Sequence, residues 1–189
     1  VLSSMFQEIA NLDECFSRYL YSHRLSARVD RFLKLYTRLG DGYVWALIVI
    51  LILVSYGPRF LALVLAQVLP SLAVSLGLYW AVKLSTKRRR PFDAIPEFKA
   101  LVPPLDKYSF PSGHTMNNLA IATTVLLSVP AAGLVMMCLP LTWGFLRVYF
   151  GVHWLSDVVG GFVLGIVSFG LGHLLWVFAL SPLVAGILS

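Results

Sequence analysis

The chain has 189 residues, of which 58% are hydrophobic and 13% are charged, and its mean hydropathy is +0.80. This composition excludes a soluble domain of this size and indicates a protein embedded in a bilayer. The formal net charge of +6 does not indicate nucleic-acid binding, because the lysines and arginines cluster beside apolar segments, where anionic headgroups or phosphate are their expected partners.

Residues 1–41 are polar overall, but apolar side chains recur in them at helical spacing. The first such set comprises Met5, Ile9, Leu12, Phe16 and Leu20. The spacing predicts amphipathic helices, and the basic residues from Arg18 to Arg38 suit helices that lie in the headgroup region. Helices that pack on the surface of the protein itself would show the same pattern. We therefore expect an N-terminal amphipathic segment over residues 1–41 and a single transmembrane bundle over residues 42–189.

Two apolar segments follow, and we predict that they form the first two membrane spans. The first runs from about residue 42 to residue 57 and the second from about residue 60 to residue 84. The turn Gly57-Pro58-Arg59 between them makes the two spans antiparallel. Residues 85–113 then form a polar loop that contains five prolines. This loop is too long for a simple connector and is therefore a candidate for function.

From residue 114 to residue 150 the chain is almost continuously apolar. As one helix this stretch of about 37 residues would reach roughly 55 Å, nearly twice the thickness of the hydrocarbon core. The segment Ser128-Val129-Pro130 near its midpoint predicts a break that returns the chain to the side it left. A last span is expected from about residue 155 to residue 180. The sequence thus predicts an all-α, polytopic transmembrane bundle with about five spans.

Polar residues form three groups at the ends of the predicted spans, and the topology brings all three to one face of the membrane. The groups are Lys83 with Arg90-Pro91, Pro111-Ser112-Gly113-His114, and Arg147 with His153 and Asp157. Taken singly, the basic run 87–90 is typical of a headgroup anchor, and a Ser-Gly pair before a helix is typical of a cap. Their convergence indicates a binding site, since charges near hydrocarbon are unfavourable unless they pair or bind something.

The three groups resemble the motifs of the type-2 phosphatidic acid phosphatase superfamily, which also includes the vanadium haloperoxidases. The first motif is Lys, six residues and Arg-Pro; the second is Pro-Ser-Gly-His; the third is Ser-Arg, five residues, His, three residues and Asp. Residues 83–91, 111–114 and 147–157 keep these spacings, but Leu146 stands where the family has Ser. The resemblance implies a membrane-embedded enzyme that removes phosphate from a lipid. Leu146 removes one possible hydrogen-bond donor without changing the expected reaction.

The chemistry of the residues supports the roles that the resemblance implies. His153 and Asp157 are four residues apart, so Asp157 can accept the ring N–H and leave the other nitrogen free to attack phosphorus. His114 is then the general acid that protonates the departing alcohol. The expected phosphate-binding residues supply charge and donors for the phosphoryl oxygens. They are Lys83, Arg90, Ser112, Gly113 and Arg147.

No pair of histidines or carboxylates in the sequence has the spacing of a metal site, and the cationic residues already provide what a metal would provide. We therefore expect neither a metal nor a cofactor. Lys87 and Asp93 lie beside the first motif and are candidates for supporting it. His23 and His173 belong to no motif and are expected to be structural.

The expected reaction is hydrolysis of a phosphomonoester or diphosphate of a membrane lipid through a phosphohistidine intermediate. Phosphatidylglycerol phosphate, phosphatidic acid, a polyprenyl diphosphate and a lipid A phosphate all carry the required group, and the sequence does not distinguish them. Three alternatives use the same residues: transfer of the phosphate to a second lipid, vanadate-dependent halogenation, and transport of an anion without catalysis.

The expected partners are the lipid substrate and the bilayer, and the sequence leaves the oligomeric state open. The expected location is the cytoplasmic membrane of a bacterium, which the chain crosses several times. Almost all lysines and arginines fall on the face that carries the three polar groups, and Arg59 alone lies opposite. The positive-inside rule favours the cytoplasmic side for the site, whereas bacterial members of the family it resembles often carry the site outside, and the sequence leaves both orientations open.

Overall fold

The computed structural model describes residues 2–182, and every regular element in that part of the chain is helical. The helices are α1 (Leu2–Ser22), α2 (Ala27–Arg38), α3 (Tyr43–Thr86), α4 (Pro91–Ala94), α5 (Gly113–Ser128), α6 (Pro130–Tyr149) and α7 (Leu155–Leu175). A 3₁₀ turn, Leu39–Asp41, precedes α3, and a π-helical turn, Trp176–Leu180, extends α7. The expected all-α fold is confirmed.

Helix α3 is a hairpin of two rods that meet at Gly57. Gly57 has φ 83° and ψ 172°, a left-handed conformation that glycine adopts without steric strain, and Pro58 follows it. Trp45 in the first rod and Tyr79 in the second line the same cavity. In a straight helix these two residues would lie roughly 50 Å apart. The rods are therefore antiparallel, as the turn in the sequence predicted.

A second break separates α5 from α6. Helix α5 ends at Ser128, and α6 begins at Pro130. Proline is tolerated at the start of a helix, because the backbone N–H that it lacks would have no intrahelical partner there. The two helices then pack closely, since a Cβ atom at Gly133 would lie 2.2 Å from the Cα atom of Leu126. The break falls where the sequence predicted it.

Close packing also holds α7 against α3 and α5. A Cβ atom at Gly172 would lie 2.3 Å from the Cα atom of Ser71 in α3. A Cβ atom at Gly161 would lie 2.8 Å from the carbonyl oxygen of Ser112, directly before α5. Small residues at helix contacts let backbones approach in a bilayer, where apolar burial does not drive association. Helix α7 therefore holds the start of α5 in place through the contact between Gly161 and Ser112.

Three helical segments are long and apolar enough to cross a membrane: Tyr43–Ala94, which contains the hairpin, Pro130–Tyr149 and Leu155–Leu180. Helix α5 has 16 residues, fewer than the roughly 20 that a span usually needs. Many large apolar side chains on these segments are exposed, as expected for a surface that faces lipid. The protein is thus an integral membrane protein, and the total of five spans remains a prediction.

Helices α1 and α2 pack on the end of the bundle that carries the long loop, residues 87–112. In α1, the Tyr21 ring stacks on Phe98 of this loop at 4.2 Å between centroids. In α2, the Tyr36 hydroxyl and Thr142 Oγ1 are 2.7 Å apart. Both helices also expose apolar side chains, among them Phe6 and Phe32. The N-terminal segment therefore has one face on the protein and an outer apolar face suited to the membrane interface.

Candidate active site

The sequence-predicted site residues meet at one end of the bundle, where α3 ends, α5 begins and a short turn joins α6 to α7. Seven of them are buried, each with at most 4% of its surface exposed. They are Lys83, Arg90, Ser112, His114, Arg147, His153 and Asp157. The eighth, Gly113, is the first residue of α5 and is partly buried. Residues as far apart in the sequence as Lys83 and Asp157 thus lie around one small volume.

The turn before α7 fixes the orientation of His153. Its backbone N–H donates to the carbonyl oxygen of Arg147 at 3.2 Å. Asp157 lies in the first turn of α7, where one carboxylate oxygen accepts the Trp154 N–H at 2.8 Å and lies 3.2 Å from His153 Nδ1. His153 Nε2 lies 3.3 Å from a guanidinium nitrogen of Arg90, which can only donate. The ring therefore carries its proton on Nδ1 and presents an unprotonated Nε2 to the cations.

The electrostatic surroundings keep His153 neutral. Burial, followed by the positive charges of Arg90, Arg147 and Lys83, holds the pKa of His153 well below its ordinary value. A neutral imidazole has a free lone pair and is the form that acts as a nucleophile. The orientation of the ring and its neutral state therefore both favour Nε2 as the atom that could attack a phosphoryl group.

Two of the cations share a carboxylate that the sequence did not single out. Oδ1 of Asp106 lies 2.7 Å from Lys83 Nζ and 2.9 Å from Arg90 Nη2, and Tyr79 donates its hydroxyl to Oδ2. Burial raises the pKa of Asp106, but the hydrogen bonds and charges of Lys83, Tyr79 and Arg90 together outweigh burial, and the pKa lies below its ordinary value. Asp106 is therefore ionised, reduces the repulsion between Lys83 and Arg90, and fixes both side chains.

The third cation, Arg147, has spare hydrogen-bonding capacity. Its Nη2 donates to the carbonyl oxygen of Pro103 at 3.1 Å, whereas its buried Nε has no partner among the described residues. The neighbouring Leu146 packs with Val102 and Phe150 in an apolar cluster. Leu146 thus contributes packing where the family serine would offer a hydroxyl, and Arg147 keeps a free donor for an anion.

His114 has a carboxylate partner of its own, from the turn before α3. His114 Nε2 lies 2.8 Å from Asp41 Oδ1. The contact with His114 lowers the pKa of Asp41 below its ordinary value, against the opposing effect of burial. An ionised carboxylate at this distance favours the protonated imidazole, the form a general acid needs, against the opposing effects of burial and of the Arg147 and Arg90 charges. His114 and His153 are therefore paired with different carboxylates on different elements.

A cavity of about 350 Å³ opens on the His114 side of the site, between the two rods of α3 and the start of α5. Its polar lining includes Asp41, Asp106, His114, Asn117 and Asn118. Its apolar lining includes Trp45, Leu76, Trp80, Leu105 and Ile121. A group bound there would have polar contacts near His114 and apolar contacts toward the helices.

The sequence pointed to the wrong neighbours of the first motif. Lys87 and Asp93 are both exposed, so they do not support the buried cations. Arg88 takes this place instead, since its Nη1 lies 2.8 Å from Asp157 Oδ1. Among residues 2–182, no three His, Cys, Asp or Glu side chains lie together in a way that could hold a metal ion. The metal independence of the reaction remains a prediction.

A buried histidine surrounded by three cations, with a second buried histidine near them, defines a site for phosphoryl groups at the end of a membrane bundle. Comparison with known protein families agrees with this description. A sequence model of the PAP2 superfamily matches residues 43–181, and the chain belongs to this superfamily. The family that the motifs resembled is thereby confirmed.

Three relatives illustrate the similarity. An undecaprenyl-diphosphatase of Sulfolobus acidocaldarius is 29% identical over 150 residues, covering 77% of this chain and 70% of that protein. A solved PAP2-type phosphatidylglycerolphosphate phosphatase of Bacillus subtilis superimposes with a TM-score of 0.66 at 25% identity, covering 87% of this chain and 84% of that one. The LpxE protein of Aquifex aeolicus gives a TM-score of 0.66 at 26% identity, with 83% and 92% covered. The expected class of enzyme, a membrane phosphatase, is confirmed.

Proposed function

We propose that this phosphatase hydrolyses a lipid phosphate through a phosphohistidine at His153. The geometry of the His153 ring supports the proposal most strongly. His153 Nδ1 lies 3.2 Å from Oδ2 of Asp157, and His153 Nε2 lies 3.3 Å from Nη1 of Arg90. The nucleophilic nitrogen thus lies beside the groups that would hold the phosphate. The alternative of anion transport without chemistry gives no reason for this carboxylate–histidine pair.

In the first step, Lys83, Arg90 and Arg147 bind the phosphoryl oxygens, together with donors at Ser112 and Gly113. Nε2 of His153 attacks phosphorus, and the bond from phosphorus to the lipid oxygen breaks. His114 gives its proton to that oxygen, so the lipid leaves as a neutral alcohol or, from a diphosphate, as a monophosphate. Asp157 stabilises the positive charge that develops on the His153 ring.

In the second step, water replaces His153 at phosphorus. His114, now neutral, removes a proton from the attacking water as its oxygen bonds to phosphorus. The bond between phosphorus and Nε2 breaks, inorganic phosphate leaves, and both histidines return to their starting states. The cations serve both steps, because each passes through a similar charged phosphoryl group.

The cavity beside His114 supports a lipid as the leaving group. It combines Asp41, Asn117 and Asn118 with the apolar side chains of Trp45 and Ile121. An amphiphilic alcohol would place its polar end at His114 and its chains along the helices. The relatives suggest two candidates, since one is named for undecaprenyl diphosphate and another for phosphatidylglycerol phosphate. We include phosphatidic acid and a lipid A phosphate, and we place the enzyme in a bacterial cytoplasmic membrane.

Phosphate release from each of these four lipids by the purified protein in detergent tests the proposal. We expect release from at least one lipid, and none from the His153→Ala variant. A second lipid that gains phosphate while no free phosphate forms would show a phosphotransferase instead. Anion uptake into vesicles that survives His153→Ala, without phosphate release from any lipid, would show transport. Activity of His153→Ala equal to wild type would contradict the proposed nucleophile.

A further inference from the structure

A chain of ion pairs connects helix α1 to His153. It begins at Asp13, in a part of the sequence that precedes the match to the family, which starts at residue 43. The side chain of Asp13 is only 4% exposed. Its Oδ2 lies 2.6 Å from Nη2 of Arg88, in the loop after α3. A buried carboxylate requires compensation of this kind, so α1 is docked here through a specific contact.

Arg88 extends the connection to the catalytic carboxylate. Its Nη1 lies 2.8 Å from Oδ1 of Asp157, whose other oxygen faces His153 Nδ1. The guanidinium group therefore bridges two carboxylates, one on α1 and one in the first turn of α7. Arg88 is 28% exposed, so without Asp13 it has room to turn toward solvent. Its present orientation depends on both partners.

Asp13 also binds the first turn of α7 directly. It accepts hydrogen bonds from the backbone N–H of Ser156 at 2.9 Å and from its Oγ at 2.5 Å. The first N–H groups of a helix have no intrahelical partner, and a carboxylate beside them is stabilising. Asp13 therefore holds the residue next to Asp157 as well as the cation that contacts Asp157.

We propose that Asp13 is a positioning residue for catalysis, acting on His153 through Arg88, Ser156 and Asp157. This inference rests on the proposed role of His153 as nucleophile. Loss of the Asp13 charge frees Arg88 and loosens the first turn of α7, which moves the carboxylate that orients the His153 ring. The phosphate-binding cations do not contact Asp13, so the effect falls on turnover and not on substrate binding.

The chain offers a matched control. Asp30 in α2 pairs with Arg24 at 2.5 Å and accepts the Tyr149 hydroxyl at 2.6 Å. It also connects the N-terminal segment to the bundle by a partly buried ion pair, but it has no contact with Arg88 or Asp157. Asp30→Asn therefore reports the effect of loosening the N-terminal segment alone.

The test compares Asp13→Asn with Asp30→Asn in the full-length purified protein. We expect Asp13→Asn to lower kcat about 10- to 100-fold for both a lipid and an activated aryl phosphate, since a shift of about 1 Å at a reacting group has effects of this size. KM is expected to stay within about twofold, because the phosphate-binding cations are unchanged. Asp30→Asn is expected to keep kcat even where it lowers the thermal midpoint. Equal kcat in the two variants would overturn the inference.

A double variant separates positioning from general destabilisation. In an Arg88→Gln background the connection through Arg88 is already broken and only the contact with Ser156 remains, so adding Asp13→Asn should lower kcat by a smaller factor than in wild type. An undiminished factor would show that Asp13 does not act through Arg88 and would overturn that part of the inference. His153→Ala serves as the reference for the proposed function. If that variant keeps activity, the nucleophile is misassigned and the inference fails with it; if it is inactive while Asp13→Asn matches Asp30→Asn, only the inference fails.

Discussion

His114 Nε2 lies 2.8 Å from Asp41 Oδ1, which gives the proposed general acid a carboxylate partner from outside the family motifs. Asp41→Asn removes the charge that favours the protonated ring. We expect it to lower turnover of a lipid phosphate about tenfold or more, because the departing alcohol needs that proton. Turnover of an activated aryl phosphate is expected to fall much less. Steady-state kcat for the two substrates provides the measurement.

Asp93→Asn is the matched control for this prediction, since Asp93 is exposed and lies outside the site. It should leave both rates unchanged. An equal loss on the lipid and the aryl phosphate in Asp41→Asn would contradict a role of Asp41 in proton donation.

The pH dependence follows from the surroundings of His153. Only the neutral ring attacks, so kcat/KM falls as the pH drops through the pKa of His153 in the free enzyme. Burial and the charges of Arg90, Arg147 and Lys83 lower this pKa well below 6.5. The acidic fall in kcat/KM is therefore expected below pH 6.5, measured with an aryl phosphate and corrected for the ionisation of the substrate.

Lys83→Met removes one of these charges and should move the acidic fall of kcat/KM toward higher pH. An acidic fall centred at or above pH 6.5 in wild type would show that the cations do not act on the nucleophile as the structure indicates.

Local chemistry explains which features the sequence could predict. The breaks at Gly57 and Pro130 depend on residues adjacent in the chain, and both lie where expected. The three motifs likewise revealed most of the site, because their spacing matches a known pattern. Leu146, the one departure from it, only adds to an apolar cluster.

The supporting carboxylates could not be predicted in this way, because their partners are distant in sequence. Asp106 binds Lys83 across 23 positions, and Asp13 binds Arg88 across 75. No spacing rule connects such pairs before the fold is known. Proximity in sequence was misleading for Lys87, whose left-handed backbone, with φ 47°, lies at the end of α3 while its side chain is exposed.

The cationic site predicts a response to metal removal and to vanadate. Lys83, Arg90 and Arg147 supply the charge that a metal would otherwise provide, so full activity is expected after treatment with a chelator. Loss of activity on chelation with recovery on adding one metal ion would contradict the metal-free reaction.

Orthovanadate, which adopts the five-coordinate geometry of the transferring phosphoryl group, should inhibit the enzyme. Arg90→Lys should weaken this inhibition, because lysine lacks the paired donors of arginine.

Sidedness can be tested with introduced cysteines. The positive-inside rule places the loop that carries Lys99 in the cytoplasm and Arg59 outside. The native Cys15 and Cys138 are exposed and are first replaced by Ser and Ala. In intact cells a membrane-impermeant thiol reagent should then label Arg59→Cys and spare Lys99→Cys. After lysis it should label both, and labelling of Lys99→Cys in intact cells would reverse the orientation.

The dependence of the rate on the leaving group distinguishes the proposed nucleophile, His153, from the proposed proton donor, His114. Removing a general acid lowers the rate by about 10²- to 10⁴-fold when the leaving group needs a proton, and much less when it departs as a stable anion. His114→Ala should therefore retain appreciable phosphoryl transfer from an activated aryl phosphate, while His153→Ala should be inactive with both substrates. Rapid mixing should trap an acid-labile phosphoenzyme in wild type, and in larger amount in His114→Ala, whose hydrolysis step lacks its base. Rescue of His153→Ala but not of His114→Ala by the activated substrate would show that the two histidines have the opposite roles.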